Sequence, residues 1–168
     1  MNTTFDFGNG PVPAARHINK NGALGGWVAK SAKVADSCYI GKNARVFGNA
    51  KVFGKAKVFG NAQIFGNAVV YGNVLIYGNV LIYGNAAVFR NAQISGNAQI
   101  YGNARIYGNA KVYGNAIIYD NAKVFDNVQI FDNALIYGNA TVFRNAQIYG
   151  DAEISGNTHI TLFQMLKI

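Results

Sequence analysis

Cysteine, proline and tryptophan are scarce in this chain: 168 residues contain one Cys, two Pro and one Trp. A single cysteine excludes an internal disulfide, and Cys38 stands at a position that otherwise holds Ala, so it is expected to be a small buried filler and not a reactive thiol. Both prolines, Pro11 and Pro13, lie near the start, so nothing beyond them bars a long run of extended backbone. Acidic residues are few, seven against 15 Lys and Arg, leaving a net charge of +8. His17 and His159 are the only histidines, too few and too scattered to form a zinc cluster within one chain. No metal or other cofactor is expected. No apolar run approaches the ~18 residues of a membrane span, and the first residues lack the basic and apolar segments of a secretory signal. A soluble, cytoplasmic protein of one domain is therefore expected, although a phage or mobile-element structural protein would read the same way.

What the chain does contain is a beat of six. From Val28 to Ile160 a Val or Ile occurs at every sixth position, 23 times without a slip. Within each unit the order Ala, variable, Val/Ile, aromatic alternates inward and outward, the period-two mark of a short half-buried strand. Gly and Asn follow, the two residues that best tolerate a left-handed backbone, so each strand ends in a corner. A fixed period of six is the mark of a parallel β-helix, and three strands close a triangle of about 18 residues.

The unit Ile100-Tyr101-Gly102-Asn103-Ala104-Arg105 and its copies resemble the hexapeptide repeat of left-handed parallel β-helix proteins. The Tyr/Phe-Gly-Asn-Ala flavour is most similar to the YdcK-like bacterial and phage-borne β-solenoids. The resemblance implies the left hand; the general preference of parallel crossovers alone would favour the right. The expected fold is all-β, a triangular solenoid of about 7–8 coils over 26–160. An irregular N-terminal cap is expected over 1–25 and a short C-terminal cap over 161–168, because exposed strand edges at either end would invite end-to-end pairing.

Stacking positions 18 apart sorts the outward residues onto three faces. One face carries an aromatic ladder through Tyr83, Tyr101, Tyr119 and Tyr137 beside Leu81, Ile117 and Leu135, with a single charge, Arg45. Such ladders stabilise a stack, yet a charge-poor face of this height exceeds the apolar patch usual on a soluble monomer. Those seven residues are the candidate interface of a homo-oligomer, dimer or trimer, or of another protein partner. Residues 1–57 hold a net +7, which makes Lys33, Arg45, Lys51, Lys55 and Lys57 the candidate patch for an anionic partner. Asp120, Asp126 and Asp132 replace corner Gly residues on three different corners, too far apart for one ion. Asp126 stacks over Arg144, and a surface ion pair is expected there.

Many hexapeptide proteins are acyltransferases with a catalytic His at a subunit interface and loops projecting from the coils. This chain has no such loop in its repeat, and Glu153, the nearest acid to His159, lies on another face. The expected function is accordingly a non-catalytic structural or protein-interaction scaffold, and the chain is expected not to be an enzyme. A module binding glycan or nucleic acid through exposed Tyr and Phe is the alternative, without a motif to support it. A hexapeptide-type acyltransferase is the second alternative.

Overall fold

The computed structural model describes residues 3–161. The C-terminal cap expected over 161–168 lies outside them apart from Thr161. Among the described residues no helix is long and apolar enough to cross a membrane.

The beat of six becomes three parallel sheets that form the walls of a prism of about seven turns. The first sheet has ten strands, the two N-terminal ones antiparallel, the second eight and the third seven. Register is fixed by the period: Val46, Ile64, Ile82, Ile100, Ile118, Ile136 and Ile154 lie directly over one another in the first sheet. Each coil hydrogen-bonds to the next through the backbone, as where the Arg105 amide donates to the Ala122 carbonyl at 2.9 Å. From Ile40 to Ile148 the Val or Ile at every sixth position is 0 % exposed, with Ala beside it near the corners. The interior is an aliphatic column, and sheet register and core packing reinforce each other at every layer.

The corners turn at positive φ, +67° at Gly102 for example. Of the corners that turn at positive φ, five have no Gly: Arg90, Asp120, Asp126, Asp132 and Arg144 adopt φ between 55° and 69°. The corner Asn residues do more than tolerate the turn. Their side-chain amides form ladders along the corners, each Nδ2 donating to the Oδ1 of the Asn 18 residues on, as Asn67 to Asn85 to Asn103 to Asn121 at 3.1 Å per step. One ladder ends with Asn133 donating to Asp151 at 2.8 Å. A terminal rung needs only an acceptor, which a carboxylate supplies.

The N-terminal segment is more regular than expected. Strand β1 (Thr4–Asp6) pairs antiparallel with β2 (Pro11–Ile18), and β2 pairs antiparallel with β3 (Leu24–Ala29). Strand β3 then pairs parallel with Arg45–Val46, so the hairpin covers the edge of the first sheet. The third sheet is covered differently. Asn19, 3 % exposed, accepts from the Ile40 amide at 2.9 Å and donates to the Ile40 carbonyl at 3.1 Å. One side-chain amide thus imitates a neighbouring strand and satisfies both backbone groups of a terminal residue.

Candidate functional site

The concave surfaces lie where the hairpin meets the first coil. A cleft of about 620 Å³ is lined by β2, the end of β3 and the turn after it, with Arg16, His17, Lys30 and Asp36 as its ionisable groups. His17 is half-buried on β2, and its Nε2 lies 3.2 Å from the Cys38 carbonyl oxygen. A carbonyl can only accept, so Nε2 carries the hydrogen. In the neutral ring Nδ1 is then the unprotonated nitrogen, the arrangement a general base requires. The second cleft, of about 340 Å³, lies over the first sheet and is lined by Phe5, Arg16, Trp27, Lys42, Asn43, Arg45, Asn61 and Gln63. The sequence reading missed both clefts, because they join a segment without the repeat to the first coils. One signal was available, since Arg45 lies 18 residues beyond Trp27.

Of the two histidines only His17 lines a cleft. His159 is exposed on the second sheet, and Glu153 is exposed on the first. Cys38 is 2 % exposed, its Sγ is 3.5 Å from the Val52 carbonyl oxygen, and burial pushes its thiol above the ordinary range. That suits a filler and suppresses the thiolate on which reactivity depends.

The expected cationic patch is divided. Lys33 and Lys51 are neighbours in the second sheet, Lys57 belongs to the third, and Lys55 lies between those two walls. Arg45 stands apart from them on the first sheet, over the smaller cleft. A triangular prism sends residues six apart to different walls, so clustering along the sequence does not become clustering in space.

The candidate interface residues do share one wall. Phe47, Phe65, Tyr83, Tyr101, Tyr119 and Tyr137 stack with centroids 4.8–5.0 Å apart and planes within 11°. Phe7 of the cap extends this ladder, stacking on Phe47 at 4.7 Å. Leu81, Ile117 and Leu135 form the adjoining row with Gln99 between the first two. All are half-buried because each ring and chain covers its neighbour. Burial accordingly raises the hydroxyl pKa of Tyr83 and Tyr101. The more exposed aromatics are on other walls: Tyr71 is 59 % exposed, and Tyr77, 42 % exposed, registers on Ser95 and lacks a ring above it.

The expected ion pair between Asp126 and Arg144 is not formed. The Asp126 carboxylate accepts the backbone amide of Arg144 at 3.1 Å, while the Arg144 guanidinium lies 5.7 Å from the Phe143 ring centroid. Asp120 and Asp132 act alike, accepting the backbone amides of Gly138 at 3.2 Å and Gly150 at 3.0 Å. At positive φ the short carboxylate reaches the corner amide of the next coil before any longer side chain can compete for it.

A family profile described as the YdcK β-solenoid repeat matches residues 62–78, 98–112, 104–120 and 128–144. No curated protein matches the chain in sequence. Among solved structures, a UDP-N-acetylglucosamine O-acyltransferase from Moraxella catarrhalis is similar with a TM-score of 0.51 and 17% identity, over 79% of this chain and 64% of that one. This chain therefore spans less than two thirds of that enzyme. A putative acetyltransferase from Bacillus cereus aligns at 16% identity and TM-score 0.37, over 76% of this chain and 70% of its own. The acetyltransferase domain of PglB from Neisseria gonorrhoeae, in complex with acetyl coenzyme A, aligns at 17% identity and TM-score 0.24, over 79% and 52%. The expectation that the chain is not an enzyme is overturned by the first of these. The fold it shares is one on which an acyltransferase is built, so regular coils give no ground for excluding catalysis. Fold and repeat agree: the chain is a left-handed parallel β-helix, and the YdcK-type β-solenoid repeat is matched within it over 62–78, 98–120 and 128–144.

Proposed function

We propose that the chain is an acyltransferase that works in the larger N-terminal cleft with His17 as general base. The observation that carries this reading is the half-buried imidazole that lines the larger cleft. Its Nε2–H is given to the Cys38 carbonyl, leaving Nδ1 as the acceptor nitrogen of a residue that lines a cleft of about 620 Å³. In such a site His17 takes the proton of an acceptor hydroxyl or amine as that group attacks the thioester carbonyl. The carbon–sulfur bond then breaks, and the imidazolium returns the proton to the departing thiolate. The similarity to a UDP-N-acetylglucosamine O-acyltransferase supports the reaction class as far as a shared fold does.

The test uses acetyl coenzyme A alone. Saturable binding by calorimetry is expected, with slow release of free thiol to water or added hydroxylamine. His17→Gln should still bind but release thiol about 100-fold more slowly, within the range for loss of a general base. Cys38 contributes little thiol signal because it is buried. Absence of saturable binding, or equal release from wild type and His17→Gln, would sink the assignment.

A second reading concerns assembly and rests on the charge-poor first wall. We propose that copies of the chain associate as a dimer or trimer through Leu81, Ile117 and Leu135 beside the Tyr83, Tyr101, Tyr119 and Tyr137 stack. A lysine placed mid-face must lose its hydration in such an interface, so Ile117→Lys should reduce the solution mass to that of one chain. Light scattering measures it; a monomeric parent, or a variant of unchanged mass, refutes the interface.

A further inference from the structure

The smaller cleft brings together three cations that the sequence scatters. Arg16 of β2, Trp27 of β3, Arg45 and Gln63 are in register on four successive strands of the first sheet. Phe5 of β1 folds over this row and stacks on Trp27 with centroids 4.6 Å apart. The Arg16 guanidinium lies 5.5 Å from the Trp27 centroid, and that of Arg45 lies 5.3 Å from the Phe5 centroid. Arg16 is further tied by its Nε–H to the Gly25 carbonyl and by a terminal N–H to the Lys42 carbonyl at 3.3 Å. Both guanidiniums are thereby held in place by rings, and Lys42 adds a third cation at the rim.

Nothing neutralises them locally, since no carboxylate lines the cleft. Three like charges in a concave site repel one another unless an anion lies between them, and guanidinium edges match the oxygens of a phosphate. The remaining lining is uncharged and hydrogen-bonding: Asn43, Asn61 and Gln63. The corner amide ladder consumes these groups only in part. Asn61 donates onward to Asn79 at 2.9 Å, but no side-chain bond joins Asn43 to Asn61 among the described residues. The Asn43 amide and the Oδ1 of Asn61 are therefore left by the ladder at the mouth of the cleft. The rings, by contrast, already have partners, Trp27 against Phe5 and Arg16, and Phe5 against Trp27 and Arg45. A nucleobase would find no free ring surface on which to stack.

We propose that this cleft binds a small phosphate monoester on a hydroxylated body, a sugar phosphate. Arg16, Arg45 and Lys42 hold the phosphate, and Asn43, Asn61 and Gln63 meet the hydroxyls. The site adjoins the His17 cleft and shares Arg16 with its lining, but its test reads sugar-phosphate binding alone, without acetyl coenzyme A, so it stands or falls independently of the acyl-transfer reading.

Trp27 is the only tryptophan in the chain, and its intrinsic fluorescence reports on this cleft. Glucose 6-phosphate should change that fluorescence saturably, inorganic phosphate should do so with at least about threefold weaker affinity, and glucose should do nothing. Arg45→Gln should weaken glucose 6-phosphate about tenfold or more, the effect of removing one charge-assisted contact. Should Arg45→Gln unfold the cap, Lys42→Gln, at an exposed position, should weaken binding about threefold with unchanged thermal melting. No response up to roughly 10 mM ligand, equal affinity for phosphate and glucose 6-phosphate, a response to glucose, or unaltered affinity in the variants that remain folded each overturns the proposal.

Discussion

Replacing Gly26 by alanine is expected to remove about 4 kcal/mol or more of stability, more than the 1–3 kcal/mol usual for overpacking. An added Cβ at Gly26 would sit 2.0 Å from the Ala44 carbonyl oxygen and 2.7 Å from that of Gly41. Both obstacles are backbone atoms of the next coil, so no rotamer change can relieve them. Gly25 is similarly confined, its Cβ position being 2.4 Å from the Ile40 carbonyl oxygen and 2.9 Å from Nδ2 of Asn19. The pair lets β3 press against the first full coil while Asn19 covers the edge of the third sheet. Forcing the strands apart would expose that edge and disturb both clefts together. Gly150→Ala is the control: φ is +70° but nothing lies within 4 Å, so only the cost of a left-handed alanine remains, about 1 kcal/mol. Urea unfolding followed by circular dichroism compares the two. Equal losses would show that the close approach of β3 costs no more than a left-handed alanine, and would refute the argument from packing.

The solenoid could be read from the sequence because its rules repeat. Each hexapeptide states the same inward, outward and corner choices, so an error at one unit is corrected by the next, and the register of 18 follows by counting. The same counting identified the stacked wall from Phe47 to Tyr137. It gave poorer results wherever a residue departs from the repeat. The Asp126–Arg144 pairing failed because vertical alignment says which residues are neighbours but not whether a side chain or a backbone amide is the nearer partner. The Asn ladders escaped notice because Asn at a corner already had a sufficient explanation in its tolerance of positive φ. The clefts were hidden for a different reason. Phe5, Arg16 and His17 belong to a segment without period, and their placement depends on an antiparallel hairpin whose register no repeat encodes. Both proposed sites lie where the regular pattern stops, and the exclusion of catalysis was drawn from the regular part of the chain alone.

Ile100→Ala is the second large effect, about 4 kcal/mol, within the 2–5 kcal/mol found when a buried isoleucine is cut to alanine. Ile100 is 0 % exposed and lies between Ile82 and Ile118 in register, so its removal leaves a void bounded by the coils on both sides. The interior has no side chain free to fill it, because neighbouring layers hold their own Val and Ile at the same point. Ile160, 6 % exposed, registers on Val142 at the far end of the second sheet, and truncating it should cost roughly half as much. A column of this kind is stabilised by nearest-neighbour contacts between coils, so weakening one interior layer also weakens the coupling between the two halves. Trp27 reports only on the N-terminal half, whereas circular dichroism sums over all coils. In the parent the two signals should change together on urea unfolding; in Ile100→Ala they should separate, with a broadened dichroism transition. Coincident transitions in the variant, with the full loss of stability, would mean that the rod unfolds as one unit. A defect at mid-column would then be transmitted undiminished to the clefts at its end.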